Sequence, residues 1–284
     1  MMFGVSLNLR PADFRRVILS PVAPAAGLVA QFLLLPAATC AVTWLLEVDP
    51  ELALGMILIA ACPGGNFSNI MTFMARGSVA VSVSMTAVSS VAAIVLTPIN
   101  FAFYGWLNPY TRDYLTTISI EPGGILLLVV LVLGLPLLLG MLAGQRWPLM
   151  AARSERVVRA VSLLILLAFV AIAFARNFDL FLARFQSFVW LVIGHNLIAF
   201  GLGFAMARLA RLPAADRRAV TMEIGIQNSG LGLVILFTFF PEAGGMLLIA
   251  GFWGVWHLVA GITLSQVWAR IPLDGQRLPA KDAA

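Results

Sequence analysis

Runs of about twenty apolar residues recur along the whole chain, and each is long enough to cross a bilayer as a helix. They fall at residues 25–46, 52–74, 79–107, 123–144, 157–178, 188–209, 219–240 and 245–268, after a short apolar start at 1–8. A soluble fold of 284 residues could bury a large core. It would also need charge to cover its surface. Here 61% of residues are hydrophobic and 11% are charged, against about 45–50% and about 25% in soluble domains. Inside lipid every backbone amide and carbonyl needs a partner, and a helix supplies one within its own segment. The chain is therefore expected to be an all-α integral membrane protein.

Charge sets its expected orientation. When the gaps between spans are assigned alternately to two sides, fifteen of the eighteen basic residues share one side: Arg10, Arg15, Arg16, Arg76, Arg146, Arg153, Arg156, Arg159, Arg208, Arg211, Arg217, Arg218, Arg270, Arg277 and Lys281. Only Arg112, Arg176 and Arg184 share the other, with Glu47, Asp49, Glu51, Asp113, Glu121, Asp179 and Glu242. The positive-inside rule puts the basic side and the polar tail, 271–284, in the cytoplasm of a cell whose plasma (inner) membrane the chain crosses many times. A net charge of +5 then reports orientation, and nucleic acid is not expected as a partner. Cys40 and Cys62 sit in apolar runs and suggest neither a disulfide framework nor a metal site. The N-terminus lacks the pattern of a cleavable signal. Trp44, Trp106, Trp147, Trp190 and Trp268 lie near span ends, as an interfacial belt requires, whereas Trp253 and Trp256 lie inside the last span.

Two spans are interrupted. In 52–74 the series Cys62, Pro63, Gly64, Gly65, Asn66, Phe67, Ser68, Asn69 removes a backbone donor and relaxes the helix. A proline kink satisfied by neighbours would account for Pro63. It would not account for Asn66, Ser68 and Asn69 at one depth. In 219–240 the series Glu223, Ile224, Gly225, Ile226, Gln227, Asn228, Ser229, Gly230 carries the one carboxylate placed deep in a span. An intramembrane carboxylate marks a functional site by default; the plain alternative is a carboxyl group hydrogen-bonded within the bundle. Each break lies in the next-to-last span of its half, and the two run in opposite directions across the membrane. That is the pattern of inverted repeats, in which two discontinuous helices cross near the midplane and offer their half-helix ends to an ion and a substrate. Helix N-terminal ends favour an anion. Carbonyls, amide oxygens and Glu223 favour a hard cation.

Other intramembrane polar groups are less specific. Ser78, Ser82, Thr86 and Ser89 follow one helix face, which suits either helix packing or a cation. Gln31, His195 with Asn196, and His257 are single polar groups within spans.

Residues 61–69, continuing through Met71, Thr72, Ala75, Arg76 and Gly77 into 81–86, resemble the bile acid:sodium symporter family. So do residues 223–231, with Gln31, Phe32, Pro36, Ala37, Trp256 and His257 in matching order. The resemblance spans nearly the whole chain. It implies two inverted five-helix repeats, a panel of helices against a core with two crossed discontinuous helices, and two sodium ions as coupling ions. By motif, Ser68, Asn69, Ser82, Thr86 and Glu223 resemble one sodium site. Gln31, Glu223, Ile224, Ile226 and Gln227 resemble the other, Ile224 and Ile226 through their carbonyls. Asn66, Phe67, Asn228, Ser229 and His257 fall where the family holds its substrate. Asn66 and Phe67 replace a small pair, often Thr-Ala, and Leu258 replaces an Asn often found after Trp-His; both changes point to a carboxylate smaller than a bile acid, pantoate-like or a keto acid. The chain starts within the family's second helix, so the first family helix is expected to be missing from the N-terminal repeat.

The expected function is a sodium-coupled symporter that imports a small organic anion, bile-acid-like or pantoate-like, by alternating access, and not an enzyme. The expected organisation is an N-terminal repeat at 1–107, a C-terminal repeat at 123–270 and the tail. The alternatives are a proton-coupled or efflux relative with Glu223 as proton carrier, and a transport-inactive sensor or remnant. An intramembrane enzyme using Glu223 and His257 lacks a nucleophile or metal cluster at a recognisable spacing. Substrate identity, stoichiometry and oligomeric state are not encoded legibly.

Overall fold

A computed structural model describes residues 3, 6–7, 9–117 and 122–273. Glu121 and the tail residues 274–284, with Arg277 and Lys281, lie outside them. The described residues form α1 (Pro11–Leu19), α2 (Val22–Leu45), α3 (Pro50–Ala61), α4 (Phe67–Met74), α5 (Val79–Leu107), α6 (Pro109–Thr117), α7 (Pro122–Val129, a π turn at Val130–Gly134, then Leu135–Arg146), α8 (Pro148–Arg176), α9 (Phe178–Leu209), α10 (Ala214–Gly225), α11 (Ser229–Phe239) and α12 (Gly244–Ala269). Among them α2, α5, α7, α8, α9 and α12 contain apolar stretches long enough to cross a membrane. The other two expected spans, 52–74 and 219–240, are each divided into two shorter helices, α3 with α4 and α10 with α11.

Some boundaries differ from the hydropathy reading. α8 begins at Pro148 rather than near 157, because its first turns carry Arg153 and Arg156 and reach beyond the hydrocarbon. Pro148 at the first helical position needs no amide partner there. α9 begins at Phe178 rather than near 188 and bends at Arg184, where φ −121° and ψ 15° leave the helical region. Trp190 consequently lies well inside α9 and not at its end. The connection at 108–122 contains α6, started by Pro109 and by the Asn108 side chain accepting from the Tyr110 amide at 3.0 Å. Trp253 is fully buried, while Trp44, Trp106 and Trp147 are about half exposed.

The breaks follow from local chemistry. Asp49 caps α3, accepting from the Glu51 amide at 3.1 Å, with Pro50 next. Pro63 forces the residue before it out of the helical region: Cys62 has φ −71° and ψ 156°, and α3 ends at Ala61. Ile226, with φ −111° and ψ 93°, is likewise extended and ends α10, there without a following proline. The two extended stretches pair antiparallel, with Gly64 opposite Gln227. Gly65 N donates to Ile226 O at 2.5 Å, and Asn228 N donates to Pro63 O at 2.9 Å. Two interrupted helices thus satisfy part of each other's backbone. Glycine is needed for this approach: a β-carbon at Gly64 would fall on the Glu223 carboxylate, and one at Gly65 would lie 2.6 Å from Gln227 O.

α5 supplies donors for other freed carbonyls. α2 contains a π turn at Ala30–Leu34 followed by Pro36, which has no amide to give Phe32 O. Asn100 Nδ2 donates to Phe32 O at 2.7 Å and Tyr104 Oη to Leu33 O at 3.3 Å. Thr97 Oγ1 donates to Ala61 O, at the end of α3, at 2.8 Å. Residues 97, 100 and 104 follow one helix face, so α5 splints two irregular helices at once.

α3 is the buried centre, with every residue from Leu52 to Ala61 buried. Gly55 lets α3 approach α12, its β-carbon position lying 2.9 Å from Met246 Cα, and Gly203 does the same for α9 on α10 at Thr221 Cα. At the rim, α7 and α8 bury only 28% and 18% of their apolar windows, which leaves them to face lipid. The two ends of the bundle are bonded as the alternation of charge predicts. At one end Arg184 pairs with Asp49 at 2.5 Å and Arg176 with Glu242 at 3.8 Å. There Glu51 also accepts from Gly245 N at 2.7 Å and Tyr114 Oη at 2.6 Å. Burial and then Glu51 push the Tyr114 hydroxyl up, so it remains a donor. At the other end Arg218 donates to Ala75 O at 2.6 Å and to Ile271 O at 2.8 Å, joining the ends of α4 and α12 to α10.

Candidate functional site at the paired breaks

Glu223, 1% exposed, leaves α10 two residues before its end and points at the first break. Three hydroxyls donate to it: Ser68 from α4 to Oε2 at 2.6 Å, Ser82 from α5 to Oε2 at 3.3 Å, and Thr86 from α5 to Oε1 at 2.8 Å. Thr72 Oγ1 reaches Ser82 at 3.3 Å, and Asn69 Oδ1 lies 3.5 Å from Thr86 Oγ1. The set is one carboxylate among neutral oxygens and buried in the bundle. Its chemistry suits a hard monovalent cation, which such oxygens can hold once their hydroxyl protons turn away.

A second polar group adjoins it. Gln31 lies in the π turn of α2, and such turns often occur at functional sites. Its Nε2 donates to Cys62 O at 2.7 Å and to Gln227 Oε1 at 2.8 Å. Gln227 Nε2 donates to Ile224 O at 2.7 Å and to Gln31 Oε1 at 3.3 Å. Ile226 O is taken by Gly65 N. The carbonyls of Cys62 and Ile224 therefore meet two linked amides, while that of Ile226 is turned to the first break.

The other ends of the breaks have the opposite polarity. α4 and α11 begin there, so their N-terminal amides face the crossing region. Asn228 caps α11 by accepting from Leu231 N at 3.1 Å. Ser229 is buried, with Oγ 3.2 Å from a β-carbon placed on Gly254 of α12. Asn66 precedes α4 without capping it, and its Oδ1 is buried with no partner among the described residues. Phe67 is half-buried and packs against two apolar clusters.

The structure therefore brings Ser68, Asn69, Ser82, Thr86 and Glu223 together, and Gln31 with Gln227 and the Ile224 carbonyl; the Ile226 carbonyl goes to Gly65 N instead. It joins His257 to neither break by a hydrogen bond; the residue is buried in α12, and its ring nitrogens have no partner among the described residues. The hydroxyl face of α5 divides. Ser82 and Thr86 reach Glu223, Ser89 bonds to Thr86 O, and Ser78 marks the start of the helix with its amide on Ala215 O. Asn196 was legible only as a lone polar residue, yet its Nδ2 donates to Gly225 O at 2.8 Å. It precedes its carbonyl by 29 residues and Gln31 precedes Cys62 by 31, so each break has an amide about one span upstream. Arg218 gave no signal, since it reads as one more basic residue at a span end.

A profile of the sodium bile acid symporter family matches residues 1–184, which include α2 to α5 and all four residues around Glu223, Ser68, Asn69, Ser82 and Thr86. The chain belongs to the sodium bile acid symporter family. Members of this family and the relatives of the chain are transporters, not enzymes. One relative is an uncharacterized sodium-dependent transporter of Bacillus subtilis, YocS, 28% identical over 95% of this chain and 81% of its own length. A probable chloroplastic sodium/metabolite cotransporter of Arabidopsis thaliana is 29% identical over 95% of this chain and 65% of its own length. The human sodium-dependent organic anion transporter is 28% identical over 83% of this chain and 61% of its own length. The chain thus spans less than two thirds of the plant and human relatives. As a symporter-family protein it is a multi-pass membrane protein, and sodium dependence runs through the names of these relatives.

Proposed function

We propose that this chain is a sodium-coupled symporter that imports a small organic anion by alternating access. The observation that carries the reading is the buried Glu223 carboxylate, which receives one hydroxyl from the opposite break, Ser68, and two from α5, Ser82 and Thr86. One sodium ion is held by Ser68, Asn69, Ser82, Thr86 and Glu223, and a second by Gln31, Gln227, Glu223 and the Ile224 and Ile226 carbonyls. The sodium ions neutralise the carboxylate and leave the α4 and α11 N-termini to an anion, held with Asn66, Phe67, Asn228, Ser229 and His257. The side chains of Asn66 and Phe67 favour a compact carboxylate. The regions 1–107 and 123–270 are inverted repeats, and the basic face of the bundle is cytoplasmic.

Two sodium ions with a monoanion carry one net positive charge inward. Each 100 mV then contributes about 2.3 kcal/mol. The test is uptake into proteoliposomes under an imposed sodium gradient, using labelled anions from taurocholate down to pantoate and pyruvate, with Glu223→Ala beside the parent chain. Sodium-driven uptake lost in Glu223→Ala is expected. Flux driven by a pH gradient without sodium would replace this reading with a proton-coupled one, and binding without flux would replace it with a sensor.

A further inference from the structure

A groove of about 600 Å³ opens on the lipid-facing side of α5, lined on that helix from Val95 to Trp106 and on α7 by Leu126. Its walls are apolar, and Ile99, Phe103 and Trp106 are about half exposed. The residues from Val95 to Trp106 rise about 16 Å in a helix. That is half of a hydrocarbon core about 30 Å thick, the depth of one leaflet and the reach of a single acyl chain. Pro98 lies on this wall within α5.

The mouth of the groove carries a positive charge. Arg112 lies over the Trp106 ring, 4.6 Å from its centroid, and its Nε donates to Trp106 O at 2.9 Å. The guanidinium is thereby fixed at the end of the bundle that has few basic residues. Arg176 and Arg184 at that end pair with Glu242 and Asp49. Arg112 has no such carboxylate partner among the described residues. A guanidinium held at the hydrocarbon boundary is matched by a phosphate, which its fork binds with two parallel hydrogen bonds.

We propose that this groove binds one phospholipid, with an acyl chain along α5 from Trp106 to Val95 and its phosphate on Arg112. Fixed charge at one end and an apolar trough one leaflet deep select a phosphodiester amphiphile over a free ion or a plain hydrocarbon. α5 carries Ser82 and Thr86 to the carboxylate and holds Thr97, Asn100 and Tyr104 against α3 and α2. A lipid seated between α5 and α7 therefore bears on the helix that organises the site.

The experiment uses the full chain in phosphatidylcholine vesicles containing a phosphatidylglycerol with a photoreactive group at mid-chain, and maps labelled peptides by mass spectrometry. Labelling concentrated on residues 95–106 is expected. Ala102→Trp fills the trough, and Arg112→Gln removes the phosphate contact; each should lower that labelling about tenfold, and Arg112→Lys should restore part of it. Thermal melting and gel filtration of each variant distinguish a lost site from a lost fold. Labelling spread evenly over the exposed faces of α5, α7 and α8 would overturn the proposal. So would labelling unchanged in both variants. Displacement of the probe by taurocholate or pantoate, but not by unlabelled phosphatidylglycerol, would assign the groove to an organic anion instead. None of these outcomes depends on sodium coupling.

Discussion

At the first break Cys62 leaves the helix and its carbonyl is taken by Gln31; at the second, Ile226 leaves the helix and the adjacent Gly225 carbonyl is taken by Asn196. The backbone device is the same in both: an amide side chain from an earlier helix closes the end of an interrupted one. The chemistry differs. The first break brings glycines and neutral hydroxyls, and the second brings the carboxylate. Gly64 clears the space that Glu223 fills. Backbone closure is therefore duplicated while charge is not: the second break alone brings a carboxylate, and it bonds to Ser68, Ser82 and Thr86.

The largest expected effect comes from moving that charge. Unit charges 4 Å apart interact by about 4 kcal/mol at an effective dielectric constant of 20. Glu223→Gln should accordingly weaken sodium activation of uptake by on the order of a thousandfold, whereas Ser68→Ala, which removes a neutral ligand from the other break, should cost about tenfold. Equal losses in sodium titrations of the two variants would end the asymmetry. Next comes Gly64→Ala, whose methyl group would displace the carboxylate. It should destabilise the protein by about 1–3 kcal/mol, read as a lower melting temperature in detergent with a diminished sodium-induced shift. Gly225→Ala meets the Phe200 ring rather than the carboxylate, so its sodium-induced shift should persist.

The closing amides give a finer comparison. Gln31→Leu and Asn196→Leu each deprive one break carbonyl of its donor, and each should lower stability by about 1 kcal/mol. Only Gln31→Leu should also raise the sodium concentration for half-maximal uptake, because Asn196 lies outside both oxygen groups. A parallel rise in Asn196→Leu would make the two breaks equivalent. The smallest effect is expected from Arg184→Gln at the end of the bundle. Its pair with Asp49 is partly exposed, and exposed pairs contribute about 1 kcal/mol or less, so melting should shift little and sodium titrations should overlay.

Much of this arrangement was legible in the residues. Apolar runs placed the spans, Pro63 with its glycines placed one break, and the depth of Glu223 placed the other. Ser82 and Thr86 were legible on one face of α5, but that face also contained Ser78 and Ser89, and only packing separates them. The pairing of Gly64 with Gln227 was not legible, because two short extended stretches far apart in sequence carry no pattern that specifies each other. The donors on α5 were hidden for a related reason. Thr97, Asn100 and Tyr104 answer carbonyls released in α2 and α3, so their meaning depends on which helices lie alongside. Hydropathy also missed the first turns of α8 and α9, where the helix continues after the apolar run has ended.

The π turn in α2 can be restated as a matter of phase. It accommodates about one more residue than an α-helical turn, and one residue corresponds to a rotation of about 100°. The residues before it, Ala23 and Ala26, and those after it, Thr39 and Thr43, are all buried, although the helix between them changes register. Deleting one codon within 30–34 would leave length, composition and hydropathy almost unaltered. It would return the turn to α-helical geometry with the two halves still in phase, whereas the same deletion elsewhere in α2 would swing one half by about 100° and take Gln31 from Cys62 or Thr39 from His195, its partner at 2.7 Å. Tolerance to single-residue deletions along α2 should therefore peak at the π turn, which can give up its extra residue, and fall on either side of it.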